Sequence, residues 1–290
     1  MRVRFRCAAL LLPLSLSLAG CASEEEPAAA VESKSPGAKQ PPEPAAAPEP
    51  PESPEDFLDL AEEAMAKEGA WTFSVKGEEA LKLQGQRSAA SYQATVKRSL
   101  KPDGLHSRGD TTSSKGTTRA EELYVVDGTA HLKEGNESWK KAAASSPEMK
   151  NKIEDPVAAI EEFREYARAA GDGVTLTRTD GTIQLRVGSG SQKLVAVRDR
   201  AYVKKAVREF GSTAEQLRQA GIPVNDAQLT LSGLEETLLL DANTYRVKSH
   251  SFDFGFLVPY GGQDIMFEQK VRQENQGSYD GKIELPADLR

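Results

Sequence analysis

The feature that most constrains this chain is a period-two alternation of apolar and polar residues, repeated in short runs from residue 71 onward. Trp71, Phe73 and Val75 alternate with polar neighbours, as do Tyr92, Ala94 and Val96. Successive side chains of a strand point to opposite faces, so such runs build sheets with one apolar and one wet face. Leu123 to Val126 leads into Asp127-Gly128, and the chain returns through Ala130 and Leu132. An Asp-Gly pair between alternating runs marks a tight hairpin. A second hairpin is expected from Val174–Thr177 and Ile183–Val187 around Asp180-Gly181. In the last third Ala227, Leu229 and Leu231 alternate, and Leu238–Leu240 reaches a turn at Asp241-Ala242-Asn243-Thr244 before Tyr245 and Val247. Phe252, Phe254 and Phe256 share a face, Ile265 and Phe267 alternate, and Ile283, Leu285 and Pro286 close the chain.

Helices punctuate these strands. Ser53 is placed to cap, Pro54 stands at the first helical position and Gly69 stops the run, with Phe57, Leu60, Ala61, Ala64 and Met65 on one stripe. Asp155-Pro156 opens a second helix that carries Ala159, Ile160, Phe163, Tyr166 and Ala167 and ends at Gly171. Glu161, Glu162 and Glu165 beside Arg164 and Arg168 read as its solvated face. A helical region from about Arg200 to Ala220 is expected to break at Gly211, because Ser212-Thr213-Ala214-Glu215 reads as a capping box. The order of helix, strands, helix, hairpin, helices and strands specifies an α+β antiparallel architecture, in one domain over residues 54–290.

The N-terminus has a different character. Arg2, Arg4 and Arg6 precede an apolar stretch from Ala8 to Leu18, too short to span a bilayer and of signal-peptide length. Leu18-Ala19-Gly20-Cys21 then resembles the lipobox of bacterial lipoproteins. That resemblance implies a signal peptide over residues 1–20, a diacylglyceryl group on Cys21, and a chain anchored to the extracytoplasmic face of the cytoplasmic membrane. Lipid anchors gain about 0.8 kcal/mol per buried methylene, so two or three chains hold a protein where one does not. Residues 21–53 are rich in Pro, Ala and Glu and lack aromatics. They cannot bury enough apolar surface to offset their ordering entropy, so they read as a disordered tether with a coil reach of roughly 30 Å. Cys7 leaves with the signal and Cys21 takes the lipid, so no disulfide is expected. Loss of three signal arginines moves the formal charge from −7 to −10, which argues against nucleic-acid partners.

Chemical motifs are sparse. His106, His131 and His250 are scattered, with no second histidine or cysteine at a metal-ligand spacing. Neither a nucleophile elbow nor a phosphate loop nor a dinucleotide fingerprint occurs, and Gly188-Ser189-Gly190-Ser191 reads as a flexible turn. No cofactor, metal or enzymatic activity is expected.

Three segments carry a family resemblance. Tyr124-Val125-Val126-Asp127-Gly128-Thr129-Ala130-His131-Leu132 with Trp139-Lys140-Lys141, the Asp155-Pro156 helix start, and Leu238-Leu239-Leu240-Asp241-Ala242-Asn243-Thr244-Tyr245-Arg246-Val247 resemble the LolA-like group of lipid-handling envelope proteins, including the LprG/LppX lipoproteins. With Lys282-Ile283-Glu284-Leu285-Pro286, the chain looks most like a subgroup of secreted lipoproteins within that fold. The resemblance implies an incomplete β-barrel: a curved antiparallel sheet with helices covering its concave face. A cleft between the two would suit an acyl chain, which gains roughly 25 cal/mol per Å² removed from water. Trp71, Phe73, Phe252, Phe254 and Phe256 are the candidate lipid-binding wall, or else ordinary core. The function implied is a non-enzymatic binder or carrier of acylated lipids or lipoglycans. The alternative is an envelope-stress sensor or protein-interaction module, with an envelope protein as partner and no lipid ligand.

Overall fold

The computed structural model describes residues 51–150, 152–169 and 173–289. The expected signal peptide, Cys21 and the tether up to residue 50 lie outside the described residues.

The first helix forms where its local chemistry places it. In α1 (Pro54–Glu68), Ser53 accepts from the Asp56 amide while the Asp56 carboxylate accepts from the Ser53 amide, and Gly69 closes the helix at φ +85°. The reciprocal cap satisfies amides that a helix N-terminus otherwise leaves without partners. Phe57, Leu58, Ala61 and Met65 are its buried stripe.

The strands are β1 (Ala70–Leu83), β2 (Gln86–Leu100), β3 (Asp103–Thr112), β4 (Thr118–Val126), β5 (Thr129–Glu134), β6 (Lys140–Ala143), β7 (Thr175–Thr179), β8 (Thr182–Ser189), β9 (Gln192–Lys193), β10 (Thr230–Asp241), β11 (Val247–Tyr260) and β12 (Gln263–Ser278). They make one antiparallel sheet in the order β6-β5-β4-β3-β2-β1-β12-β11-β10-β8-β7, with β9 on β10. Neighbours in sequence pair through hairpins within β1–β6, β7–β8 and β10–β12, whereas β8 and β9 pair with β10 across α4 and α5, and β1 pairs with β12 and joins the two ends of the domain. The sheet is open: its outer strands are β6 and β7. The helices α2 (Pro147–Lys150), α3 (Ala158–Arg168), α4 (Leu194–Val197) and α5 (Ala201–Gln219) complete the fold, and the helices pack against the sheet. The architecture is thus the α+β incomplete barrel expected from the sequence. Among the described residues no helix is long and apolar enough to cross a membrane.

Several local expectations are corrected. The helix at Asp155-Pro156 begins later, at Ala158, because Asp155 accepts both the Val157 amide (3.1 Å) and the Arg98 guanidinium of β2 (2.9 Å), which holds this segment as a turn. Gly211 does not break α5: Phe210, Thr213, Ala214 and Leu217 continue one buried stripe across it. Burial of that stripe outweighs the roughly 1 kcal/mol that glycine costs a helix. Arg164 is not on a solvated face but buried, where it reaches Asp59 and Glu62 of α1 at 3.0 and 2.6 Å. Ile283 is buried in a segment without strand structure, and Ala227 lies in a turn. Strands β3, β6 and β9 and helices α2 and α4 have no counterpart in the apolar pattern, being short or polar.

Candidate functional site in the cleft between sheet and helices

Alternate residues of β10, β11 and β12 face the helices. Register aligns Leu234, Phe254 and Gln269 in one row, Glu236, Phe252 and Val271 in the next, and Leu238, His250 and Gln273 in a third. The rows are apolar except at Glu236, His250, Gln269 and Gln273, each no more than 5% exposed. Buried polar groups at an apolar phase must be paired, because the interior supplies no water to them.

Glu236 is the hub. Its Oε1 accepts from Lys205 Nζ of α5 at 2.6 Å and lies 2.7 Å from His250 Nε2, and its Oε2 accepts from the Tyr166 hydroxyl of α3 at 3.0 Å. Lys205 also donates to Glu162 of α3 at 2.5 Å and stands 4.6 Å above the Phe252 ring. His250 Nδ1 meets Gln273 Oε1 at 3.1 Å, and Gln273 donates to Glu154 at 3.1 Å. The network therefore ties α3, α5 and the loop before α3 to the sheet. Burial pushes the Glu236 carboxyl up, but Lys205 and His250 outweigh it and hold it at about 2. Burial likewise opposes the Lys205 charge, and Glu236 and Glu162 reverse that, so the ammonium is held more tightly than in an ordinary lysine. The Tyr166 phenol is pushed away from ionising by burial and by Glu236. Donor atoms of Glu162, Glu236 and His250 lie within 4.8 Å of one another, a set able to hold a metal ion. Here Lys205 Nζ sits against two of them and already supplies the positive charge.

Beside this network lies a cleft of about 240 Å³. Phe252, Val271, Ile153 and Ala158 give it apolar walls; Glu162, Lys205 and His250 reach it from the network. At its rim Lys150 and Arg208 are exposed. Gln269, buried, also lines it, and its Oε1 accepts no hydrogen bond from any described residue. Lys152, buried on Glu121 (2.6 Å) and Glu134 (2.9 Å), fixes the loop that forms one wall. Burial raises the Glu134 carboxyl, but Lys152 and Lys140 bring it down to about 2.

The five aromatic residues singled out from sequence are all buried, at 0% for Trp71, Phe73 and Phe256, 3% for Phe252 and 5% for Phe254. Trp71 Nε1 donates to Glu68 at 3.0 Å. Phe252 and Phe254 meet at a tilt and Phe254 and Phe256 edge to face, with centroids 4.9 and 5.9 Å apart, and Phe210 of α5 closes on Phe256 at 4.9 Å. Only Phe252 of the five borders the cleft, while Phe254 borders a broader trough of about 760 Å³ with Gly188, Gly233 and Gly255. The polar half of the site went unread in the sequence. Its signal was there: Glu236 interrupts Leu234, Leu238 and Leu240, and Gln269 and Gln273 interrupt Phe267 and Val271, each on the apolar phase of its strand.

No protein-family model matches the sequence, and no curated protein sequence matches it. Among solved structures, the chain is similar to a DUF1329 family protein from Desulfovibrio piger, at 8% identity and TM-score 0.30, over 79% of this chain and 94% of that one. It is similar to a putative outer membrane lipoprotein-sorting protein domain from Vibrio parahaemolyticus, at 11% identity and TM-score 0.28, over 81% and 96%. It is similar to the ywiB protein from Bacillus subtilis, at 5% identity and TM-score 0.21, over 72% and 94%. No function passes to this chain from likenesses of that degree.

Proposed function

We propose that this chain is a non-enzymatic binding protein of the cell envelope, anchored through a lipid on Cys21, that holds an acylated lipid or lipoglycan at the cleft between sheet and helices. The observation that carries the reading is the cleft's division of labour: apolar walls at Phe252, Val271, Ile153 and Ala158, with charged groups at its rim and along one side. At about 240 Å³, and with a water occupying about 30 Å³ in the liquid, it has room for a head group and the first methylenes of a chain. The remainder of the acyl chain would stay in the bilayer, within reach of a tethered domain. The state of the network supports the non-enzymatic reading: the Tyr166 hydroxyl is held as a neutral donor to Glu236, and the Lys205 ammonium is held charged by Glu162 and Glu236.

Lipid extraction and mass spectrometry of the full chain purified from its native membrane test this reading. Co-purifying acylated molecules and saturable binding of a fluorescent fatty acid are expected. Their joint absence would overturn it. Labelled palmitate entering the wild type and not Cys21→Ser tests the anchor. The second reading, a protein-interaction module, draws on the dense packing of the five aromatic residues. In-cell crosslinking that yields a stoichiometric protein partner and no lipid would favour it.

A further inference from the structure

The outer face of the sheet pairs its charges unevenly. Val96, Leu105, Leu123 and Leu132 of β2 to β5 are buried, so alternation turns their neighbours along each strand outward. Towards β8, β10, β11 and β12 the outer cations have partners: Arg186 on Glu235 at 2.5 Å, Arg272 on Asp253 at 3.6 Å and Lys82 on Glu268 at 2.7 Å. Over β2 to β6 they do not. Register sets Lys97, His106, Tyr124, His131 and Lys141 opposite one another in one row, and Arg108, Glu122 and Lys133 in the next. Opposed residues have Cβ atoms about 5 Å apart, so the rows form one patch spanning roughly 19 Å over five strands. Lys97, Arg108, Lys133 and Lys141 have no carboxylate at ion-pair distance among the described residues. Glu122, the carboxylate between them, accepts from the Tyr124 hydroxyl at 3.2 Å and meets His106 Nε2 at 3.0 Å instead. Rings hold the cations in place of carboxylates. Lys97 Nζ stands 4.8 Å from the centroid of Tyr279 and Lys133 Nζ 5.7 Å from that of Trp139. Trp139 in turn meets Tyr124 at 5.9 Å, and Tyr124 stacks on His106 at 4.2 Å. A ring positions an ammonium without cancelling its charge.

We infer that the outer face of β2 to β6 docks on an anionic phospholipid surface, with Lys97, Arg108, Lys133 and Lys141 against the head-group phosphates and Trp139 and Tyr279 at the interface. Tryptophan and tyrosine favour that level of a bilayer, with the ring in apolar surroundings and the polar edge in water. Each lysine or arginine brought to an anionic bilayer strengthens binding by about fivefold. The chain as a whole is negative, at −7, but its other charges are screened beyond about 8 Å, so the groups at the contact decide. The inference rests on the anchoring proposed above, which brings this face to a bilayer, and not on what the cleft holds.

The test uses the full lipidated chain in vesicles of brominated phosphatidylcholine, with and without phosphatidylglycerol. Bromine on the acyl chains quenches a tryptophan that reaches the interface. Trp71 is 0% exposed, so Trp139 is the reporter, and Trp139→Phe verifies that assignment. Quenching is expected with phosphatidylglycerol, and its loss in about 1 M salt, where the Debye length is about 3 Å. Lys97→Glu with Lys141→Glu should weaken docking by about 25-fold or more, from about fivefold per cation. Lys193→Glu with Lys204→Glu, at exposed positions of β9 and α5, changes the net charge equally and should leave the quenching as it is. Unchanged thermal unfolding verifies the fold of each variant. Absent quenching, quenching equal with and without phosphatidylglycerol, or equal losses in the two double variants would each overturn the inference. An unquenched Trp139 in a chain that binds soluble poly-glutamate would overturn it in favour of a polyanionic partner. If Cys21 takes no palmitate, the anchor falls, and salt-sensitive sedimentation of the same chain with phosphatidylglycerol vesicles would still support the face. If the anchor holds and Trp139 is not quenched, the face alone falls.

Discussion

Lys205→Met isolates the energetics of the buried network. Methionine keeps the length and apolar stem of the side chain and removes the ammonium that neutralises Glu236, a residue 0% exposed. In the wild type the Glu236 carboxyl titrates near 2, against 4.5 for an unconstrained glutamate. At about 1.4 kcal/mol per pH unit, that difference amounts to about 3 kcal/mol of stability at neutral pH. It agrees with the roughly 3–5 kcal/mol measured when one partner of a buried pair is removed. The folded value lies below the unfolded one, so in the wild type this contribution is complete above pH 4.5 and is lost as pH falls towards 2. Without Lys205, only His250 and the Tyr166 hydroxyl are left to oppose burial of the carboxylate, and the folded value is expected to rise above the unfolded one. The variant should then be at least about 3 kcal/mol less stable at pH 7 and recover part of the deficit between pH 7 and pH 5, as Glu236 takes up a proton. Urea unfolding of both proteins at the two pH values measures this, with Lys205→Arg as a variant that keeps the charge. A deficit under about 1 kcal/mol, or one equal at both pH values, would refute the argument, because a merely lost packing contact is insensitive to pH.

Two further perturbations test the fold around the site. At Gly255 an added methyl would lie 2.6 Å from Ser232 Oγ and 2.7 Å from the Phe267 carbonyl oxygen, a strand backbone atom that cannot withdraw. Gly255→Ala should therefore cost about 1–3 kcal/mol, seen as a drop of several degrees in Tm, and an unchanged Tm would contradict the close approach of β11 to its neighbours. Ser53→Ala removes one half of the reciprocal cap on α1; a loss of about 1 kcal/mol is expected, with faster hydrogen exchange confined to the first turn of that helix.

What was legible in the sequence and what was not divide along range of interaction. The cap and stop of α1 and the turns at Asp127-Gly128, Asp180-Gly181 and Asp241–Thr244 involve residues within a few positions of one another, and the structure shows each where the sequence implied it. The alternation of Trp71, Phe73 and Val75, and of Phe252, Phe254 and Phe256, likewise reports one apolar face per strand. The expected breaks and faces failed where distant residues decide. Gly211 reads locally as a helix stop, yet the stripe from Phe210 to Leu217 is buried against the sheet, and Phe210 meets Phe256 and Phe267. Arg164 reads locally as a member of a solvated i,i+4 ladder, yet it is buried against α1, 105 residues earlier.

By itself, then, the sequence determined the strand faces, the hairpin turns, the first helix and the α+β class, because periodicity and capping are properties of neighbouring residues. Tertiary structure alone decided that Glu236 meets Lys205 and His250, that Gln273 reaches Glu154 across 119 residues, and that the Gln269 Oε1 is buried without a donor among the described residues. Those encounters depend on the pairing of β1 with β12 and on the docking of α3 and α5, which local patterns do not encode. A polar residue on the apolar phase of a strand marks that something must satisfy it; which group does so is set only when the far elements pack against it.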